Sequence, residues 1–426
     1  MNRAPIQTPF FYGWVVVLVS ALLGFLGTGF YSYSRGIFLP SLAETLSDGS
    51  RMEISLGFSL AAIVIAVVAV PLGIYMDKGS PRKVMLVGIV LATVSYLLLG
   101  VVQTLWQFYL IVGLGMGLAM SCMGGLSWHR SVIFWFDHWR GRAIALAVLG
   151  ASLSGIMMPP LVTLLVDAYG WRTGYFMFAV STFVTLLPVV YFLMVDRPQD
   201  IDEIRDGRNY VARHQDEMVH IERDLEVWSW QRLIRSPAVW AIGVIFGSMT
   251  CVFAAVMLHL YGHLIDIGLS TLEASYVLAT AAALSAVGKP IIGLCSDFLG
   301  ARVSIWISLA CQGGALLLFT NADTLISAIQ AAALYGFGYS GMSPLRTFAI
   351  STSVSSTSFA LANGVLRWVE LPFILAASPF AGYIYDSTGS YNLAFLVLTG
   401  LLAVAALGPL FIRVGGAIER RELRQN

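Results

Sequence analysis

The sequence predicts an all-α membrane protein of twelve transmembrane helices in two pseudo-symmetric six-helix bundles. Three observations carry that expectation. Of 426 residues, 58% are hydrophobic and 12% charged, about half the charged fraction of a soluble domain. Twelve apolar runs approach the ~20 residues needed to cross a bilayer. Segments of the first half also recur in the second at an offset of 219 to 220 residues.

The runs lie near 11–38, 53–76, 84–102, 105–128, 141–166, 173–195, 238–262, 271–295, 303–320, 324–344, 358–384 and 391–412. The first is too long for the apolar core of a cleaved signal and has no clear small-residue cleavage site after it, so it reads as a span. Charge tests the map. With both termini in the cytoplasm, twenty of the 25 Lys and Arg fall on the cytoplasmic side, Arg302 and Arg346 among them. Only Arg51 and Arg172 fall outside. That is the positive-inside bias of an integral membrane protein. The expected domains are 1–195, a cytoplasmic linker at 196–237, and 238–426. The linker stretch DRPQDIDEIRDGRNYVARHQDE mixes both signs and reads as solvated. A short amphipathic helix is expected near 218–234, with Trp228 and Trp230 at the interface.

Other classes drop out. A net charge of +1 gives no argument for nucleic acid. Cys122, Cys251, Cys295 and Cys311 sit in apolar runs without the spacing of a disulfide framework or metal site. The phosphate-loop pattern is absent, as are the zinc-protease and nucleophile-elbow patterns. The chain is therefore not expected to be an enzyme or to need a cofactor, and its energy must come from a gradient.

The repeat is specific. GIYMDKGSPRK (73–83) matches GLCSDFLGARV (293–303) through Gly73, Asp77 and Arg82 against Gly293, Asp297 and Arg302. PLVTLLVDAYG (160–170) matches PFAGYIYDSTG (379–389) with Pro, Asp and Gly in register. Duplicated six-helix units characterise secondary transporters, whose site lies between the halves near the midplane.

Twelve spans, a central linker and GIYMDKGSPRK after the second span resemble the major facilitator superfamily, across the whole chain. In that family the loop is a gate that breaks during alternating access. The resemblance implies gating roles for Asp77, Lys78, Arg82 and Lys83, and for Asp297 and Arg302 in the second copy. Read without it, these are topogenic charges, although an aspartate adds nothing to a positive-inside bias. FYGWVVV, FDHWRGRAIALAVLGASLSG, HLYGHLIDIGLSTLEAS and ELPFILAASPFAGYIYD resemble the monocarboxylate-transporter branch, including its bacterial members and its oxalate/formate exchanger relatives.

Three cations lie inside spans: Arg35, Lys289 and Arg367. Intramembrane charges are rare and usually functional. Lys289, in ALSAVGKPIIGLCSDF, lies about two turns before Asp297, too deep for easy snorkelling. The resemblance implies an arginine here in a D-x-x-x-R arrangement. This chain has Ser285 and Lys289, which keeps the cation but lacks the acid and the bidentate fork. Packing against a buried acid is the plainer role for Lys289; holding a substrate carboxylate is the favoured one. Arg35, near the outer end of the first span, either snorkels or serves as an outer anion lure or part of the substrate site. Arg367 and Glu370 share a helix face, either as an ion pair or as anion holder and proton carrier.

His259 is a second candidate proton carrier, with His263 beside it; interface hydrogen bonding is the plainer role for both. Tyr31, Tyr33, Tyr335 and Tyr339 can offer hydroxyls to a carboxylate or belong to the aromatic belt. Asn363, one turn before Arg367, can bind substrate or bridge helices. The small-residue run GLGMGLAMSCMGG (113–125) reads first as helix packing.

With Glu370 ionised, Arg35, Lys289, Arg367 and Glu370 carry a positive excess, which favours an anion over a cationic drug. The expected function is proton-coupled transport of a small monocarboxylate by alternating access, in a monomer in the plasma membrane, of the bacterial inner-membrane type. Its partners are a carboxylate substrate, protons or a counter-anion, and lipid. Exchange of oxalate/formate type, or dicarboxylate transport, stays open as the alternative. A transporter-like receptor is disfavoured by the short linker and tail. The topology has a direct test in a background with the four cysteines replaced by serine. An impermeant maleimide should label Asp48→Cys in intact cells and Gln215→Cys only after permeabilisation.

Overall fold

The computed structural model describes residues 10–206, 230–353 and 359–412, without the side chains of 77, 78, 297, 351, 352, 359 and 360. Among the described residues the secondary structure is entirely helical. α1 (Gly13–Thr28) runs through a π-helical turn, Gly29–Tyr33, into α2 (Arg35–Leu46). There follow α3 (Arg51–Lys78), α4 (Pro81–Gly100), α5 (Leu105–Phe108), α6 (Gly117–Met123), α7 (Gly125–Trp135), α8 (Arg140–Ser181) and α9 (Leu187–Leu193). The second half contains α10 (Trp230–Arg235), α11 (Pro237–Asp266), α12 (Thr271–Leu299) and α13 (Ala301–Phe319). It ends with α14 (Leu325–Ser340), α15 (Met342–Ser353), α16 (Phe359–Thr388) and α17 (Asn392–Ala405). Of the linker helix expected near 218–234, the described part is α10; Trp228 lies outside the described residues.

Among the described residues, ten continuous helical stretches are long and apolar enough to cross a membrane. One of them, Arg140–Leu193, has 54 residues. At 1.5 Å per residue it would reach about 80 Å, far beyond a ~30 Å hydrocarbon core. It breaks at Gly170, where φ is +78° and ψ is 162°, and so supplies two crossings. α14 has 16 residues and continues almost directly into α15, supplying the crossing before α16. The twelve expected crossings are thus accounted for.

The surface explains the composition. Leu18, Leu110, Val184 and Val404 are all more than 60% exposed. A water-soluble monomer does not carry apolar surface on this scale; lipid does not penalise it. Starts are fixed locally. Thr104, Ser270 and Thr324 each cap a helix reciprocally with Gln107, Glu273 and Ser327, which satisfies amide groups that the helix itself leaves without partners.

The contacts define two compact units. One comprises residues 10–34, Leu60–Met158 and 164–206; within it α4 packs on α6, α7 and α9. The other comprises Arg35–Ser59, Pro159–Thr163, 230–353 and 359–412. Its centre is α11, which packs on α16, α2, α17 and α15, while α12, α13 and α14 pack on one another. Small residues set the closest approaches. A Cβ at Gly336 would overlap the Ala281 carbonyl of α12, and one at Gly88 would stand 2.7 Å from the Met123 amide nitrogen. Gly117, in the glycine-rich run, lies against Ala61 and Val64. These contacts replace a hydrophobic driving force that lipid does not provide.

Gly170 and Gly389, matched in the repeat, adopt φ of +78° and +71°. Neither has any atom within 4 Å of where a Cβ would be, so their need for glycine is purely conformational. Gly170→Ala should therefore lower stability by about 1–3 kcal/mol through backbone strain alone, read as a fall in Tm of the detergent-solubilised protein. Gly400→Ala, in α17 with equally open surroundings, should leave Tm unchanged or raised.

Candidate functional site

Within the second unit, α16 presents Arg367 and Glu370. Glu370 is 1% exposed. Its nearest cation is Arg346 of α15: Nε stands 2.9 Å from Oε1. Arg367 Nη1 is 3.8 Å from Oε2, and its side chain is 65% exposed against 13% for Arg346. Two expectations change here. The intrahelical Arg367–Glu370 pair is the looser contact, and Arg346, sorted to the cytoplasm by charge counting, is committed to a buried acid. An ionised carboxylate removed from water needs a close cation, and a guanidinium on the adjoining helix supplies it. The contact is close but misaligned: Nε and Nη2 of Arg346 and Oε1 of Glu370 are buried without a well-directed hydrogen bond.

Lys289 comes from α12 and is half-buried. Its neighbour Gly288 is pressed so closely to α14 that a Cβ would overlap Ser340 Oγ. Ile292, three residues on, lies against Gly341 at the α14–α15 corner. α12 thus carries Lys289 along the corner from which α15 carries Arg346. Ser285, where the resemblance expects an acid, is buried at 6% exposure. Asn363 is half-buried on α16, one turn before Arg367.

A second polar network lies at the junction of α3, α11 and α17. Arg51, sorted to the outside by charge counting, is only 8% exposed. Its Nη1 and Nη2 donate to the two oxygens of Asp266 at 2.8 and 3.0 Å. Its guanidinium stacks 3.7 Å from the Tyr385 ring centroid. Nη1 also donates to Tyr391 Oη at 2.9 Å, and Tyr391 Oη lies 2.9 Å from His259 Nδ1. His259 Nε2 is 2.8 Å from the Ser378 carbonyl. A carbonyl only accepts, so Nε2 carries the proton; Nδ1 then accepts from Tyr391, whose oxygen accepts from Arg51. Every polar position of His259 is occupied with the ring neutral, and the ring is wholly buried. Asp386 completes the junction. It accepts from the amides of Arg51 and Met52 at 2.9 and 3.0 Å and from Ser50 Oγ at 2.8 Å, capping α3. His263 Nε2 lies 3.1 Å from the Phe319 carbonyl, a hydrogen-bonded packing position.

The remaining candidates are dispersed. Arg35 belongs to the second unit, where Nη2 donates to the Ala254 carbonyl at 3.4 Å and the guanidinium lies 5.8 Å from the Phe58 ring centroid. Tyr31 and Tyr33 belong to the first unit, in the π-helical turn. Tyr339 stacks on Phe253, with centroids 4.4 Å apart, and Tyr335 stacks on Tyr339.

Among the loop charges, the side chains of Asp77, Lys78 and Asp297 lie outside the described residues. Lys83 is exposed, with its amide held by Ser80 Oγ at 3.1 Å. Arg82 holds the Tyr191 carbonyl at the end of α9, and its amide donates to Asp196 at 2.8 Å. Arg302 donates from Nε and Nη2 to the Ile412 carbonyl at 3.2 and 2.7 Å. The matched arginines therefore do the same work: each ties the start of the third span of its half to the end of the sixth.

Sequence reasoning missed Arg346, Arg51, Asp266, Tyr391 and Asp386. The one usable signal was Asp386, which the repeat had aligned with Asp167.

The pattern of the Major Facilitator Superfamily matches residues 24–370, and the chain belongs to that superfamily. It is a membrane-embedded secondary-active transporter and not an enzyme. The chain is 25% identical over 415 residues to the uncharacterized MFS-type transporter YcxA of Bacillus subtilis, covering 93% of this chain and 95% of that protein. It is 26% identical over 408 residues to monocarboxylate transporter 13 of Rattus norvegicus, covering 94% and 88%. Among solved structures it resembles a bacterial homolog of the human lysosomal transporter Spinster in an inward-facing, occupied conformation. That match has a TM-score of 0.71 at 14% identity and covers 95% of this chain and 97% of the other, a likeness of fold.

Arg51→Ala would leave Asp266 without its cation and break the bridge to His259. A loss of about 3 kcal/mol is expected, seen as a lower Tm in detergent. Arg51→Met combined with Asp266→Leu should recover most of that loss, since removing both charges leaves neither one buried alone.

Proposed function

We propose that this transporter moves small carboxylate anions, by proton-coupled symport of a monocarboxylate of the lactate or pyruvate kind. The observation that carries the reading is a charge imbalance inside the second unit. Arg346 of α15 and Arg367 of α16 both act on the buried carboxylate of Glu370, and α12 adds Lys289 beside them. Charges within spans are costly and mark the transported species or its coupling ion. An anion restores the balance; a cationic drug worsens it. The similarity to monocarboxylate transporter 13 supports the same substrate class.

In this reading Lys289 and Arg367 attract and hold the anion, with Asn363 as a hydrogen-bond donor. Arg35, Tyr31 and Tyr33 contribute from the first two helices. Glu370 is the proton carrier in preference to His259, because protonating His259 would require Tyr391 to give up its present hydrogen bond. Asp77, with Lys78, Arg82 and Lys83, gates the cytoplasmic side, and Asp297 with Arg302 forms the second copy. The protein acts as a monomer of two six-helix bundles, 1–195 and 238–426, joined by the 196–237 linker. It sits in the plasma membrane, of the bacterial inner-membrane type, with both termini cytoplasmic.

The test is uptake of labelled lactate by proteoliposomes with and without an inward proton gradient. Wild type should show gradient-stimulated uptake, and Lys289→Ala should lose about tenfold or more, equivalent to roughly 1.4 kcal/mol of charge pairing. Uptake that responds to a preloaded carboxylate and not to the gradient would favour exchange of oxalate/formate type. Absence of flux with lactate, pyruvate, formate and oxalate would overturn the carboxylate reading.

A further inference from the structure

We infer that Arg346 is the group that receives the substrate's carboxylate, by exchange with Glu370 when Glu370 takes up a proton. The inference rests on the carboxylate reading and deepens it. Guanidinium groups bind carboxylates best through two parallel N–H donors. In Arg346 the Nε and Nη2 donors form the side-facing fork. Glu370 meets that fork with one close approach, 2.9 Å at Nε, and both nitrogens are buried without a directed hydrogen bond. Glu370 Oε1 is in the same condition. The pair cancels charge through Nε, but Nη2 of Arg346 stays buried without the partner that burial normally demands. A freely placed small carboxylate can fill both donors; Glu370, fixed on α16, does not.

Charge gives the coupling. The cations acting on Glu370 are Arg346 from α15 and Arg367 from its own helix. The stretch of α11 facing this part of α16 runs from Gly243, against Val369 and Leu366, to Gly247, against Phe373, and contains no ionisable group. α17 contains none either, and α10 brings only the exposed Arg232 and Arg235 against α16. Among the described residues the charges acting on Arg346 are Glu370 and Arg367, so a proton added to Glu370 leaves Arg346 without a counter-charge, and a substrate carboxylate supplies it. One proton and one anion enter together, no covalent bond changes, and the net charge of the cluster is conserved. Because the two events share one guanidinium, each strengthens the other.

The experiment measures lactate exchange at equal internal and external pH, in proteoliposomes. It compares Glu370→Gln with the double variants Glu370→Gln/Arg346→Gln and Glu370→Gln/Arg346→Lys. In the Glu370→Gln background Arg346 has no acidic partner, so a purely structural arginine predicts no further change. Substrate binding by Arg346 predicts a rise in lactate KM of tenfold or more with Arg346→Gln, partly recovered by Arg346→Lys, which keeps the charge but not the fork. Glu370→Gln itself should exchange lactate at a rate that no longer varies with pH. An unchanged KM in both double variants overturns the inference and leaves the carboxylate reading standing. Wild type that exchanges no lactate, pyruvate, formate or oxalate overturns both.

Discussion

Arg346 and Glu370 face each other at 2.9 Å, the carboxylate almost wholly buried and the guanidinium largely so. A carboxylate in that position must be neutralised, and the requirement reaches well beyond the pair. It fixes which face of α15 turns toward α16. It also leaves Arg367 as a second cation on the same carboxylate. The same low-dielectric surroundings that make a lone charge expensive give a change in protonation its leverage, because one proton decides whether Arg346 has a counter-ion.

The Arg51 network follows the same physics with a different result. There the guanidinium is bidentate to Asp266, stacked on Tyr385 and bonded to Tyr391. Every donor and acceptor along the path to His259 and Ser378 has a partner. A satisfied network holds its parts in one arrangement; a charge-matched but poorly directed pair can be exchanged. That contrast separates the Arg51 junction from the pair proposed here as the coupling element, although both are arginine–carboxylate pairs within one unit.

Much of the architecture was legible. Apolar run lengths gave the crossings, because lipid forces each span to satisfy its own backbone. The repeat was legible at Gly170 and Gly389, whose shared positive φ only glycine adopts cheaply, and at Arg82 and Arg302, which bind carbonyls at the ends of equivalent spans. The candidate site was legible in part. Lys289, Arg367 and Glu370 stood out because charge is costly inside a span. Arg346 and Arg51 did not, because positive-inside counting treats any arginine near a span end as solvated. Their partners lie 24 and 215 residues away, and one-dimensional spacing carries no sign of such pairing.

Composition, periodicity and duplication by themselves determined a twelve-span all-α membrane protein, its repeat and its excess of intramembrane cations. Those properties follow from the solvent: lipid selects apolar helices and penalises every charge one residue at a time. Tertiary structure decided which charges meet. It gave Glu370 to Arg346 in preference to Arg367, drew Arg51 inward to Asp266, and committed both nitrogens of His259. Pairing of that kind depends on which faces of distant helices pack together, and packing is settled by shape contacts such as Gly336 on Ala281 and Gly288 on Ser340, which exist only once the chain has folded.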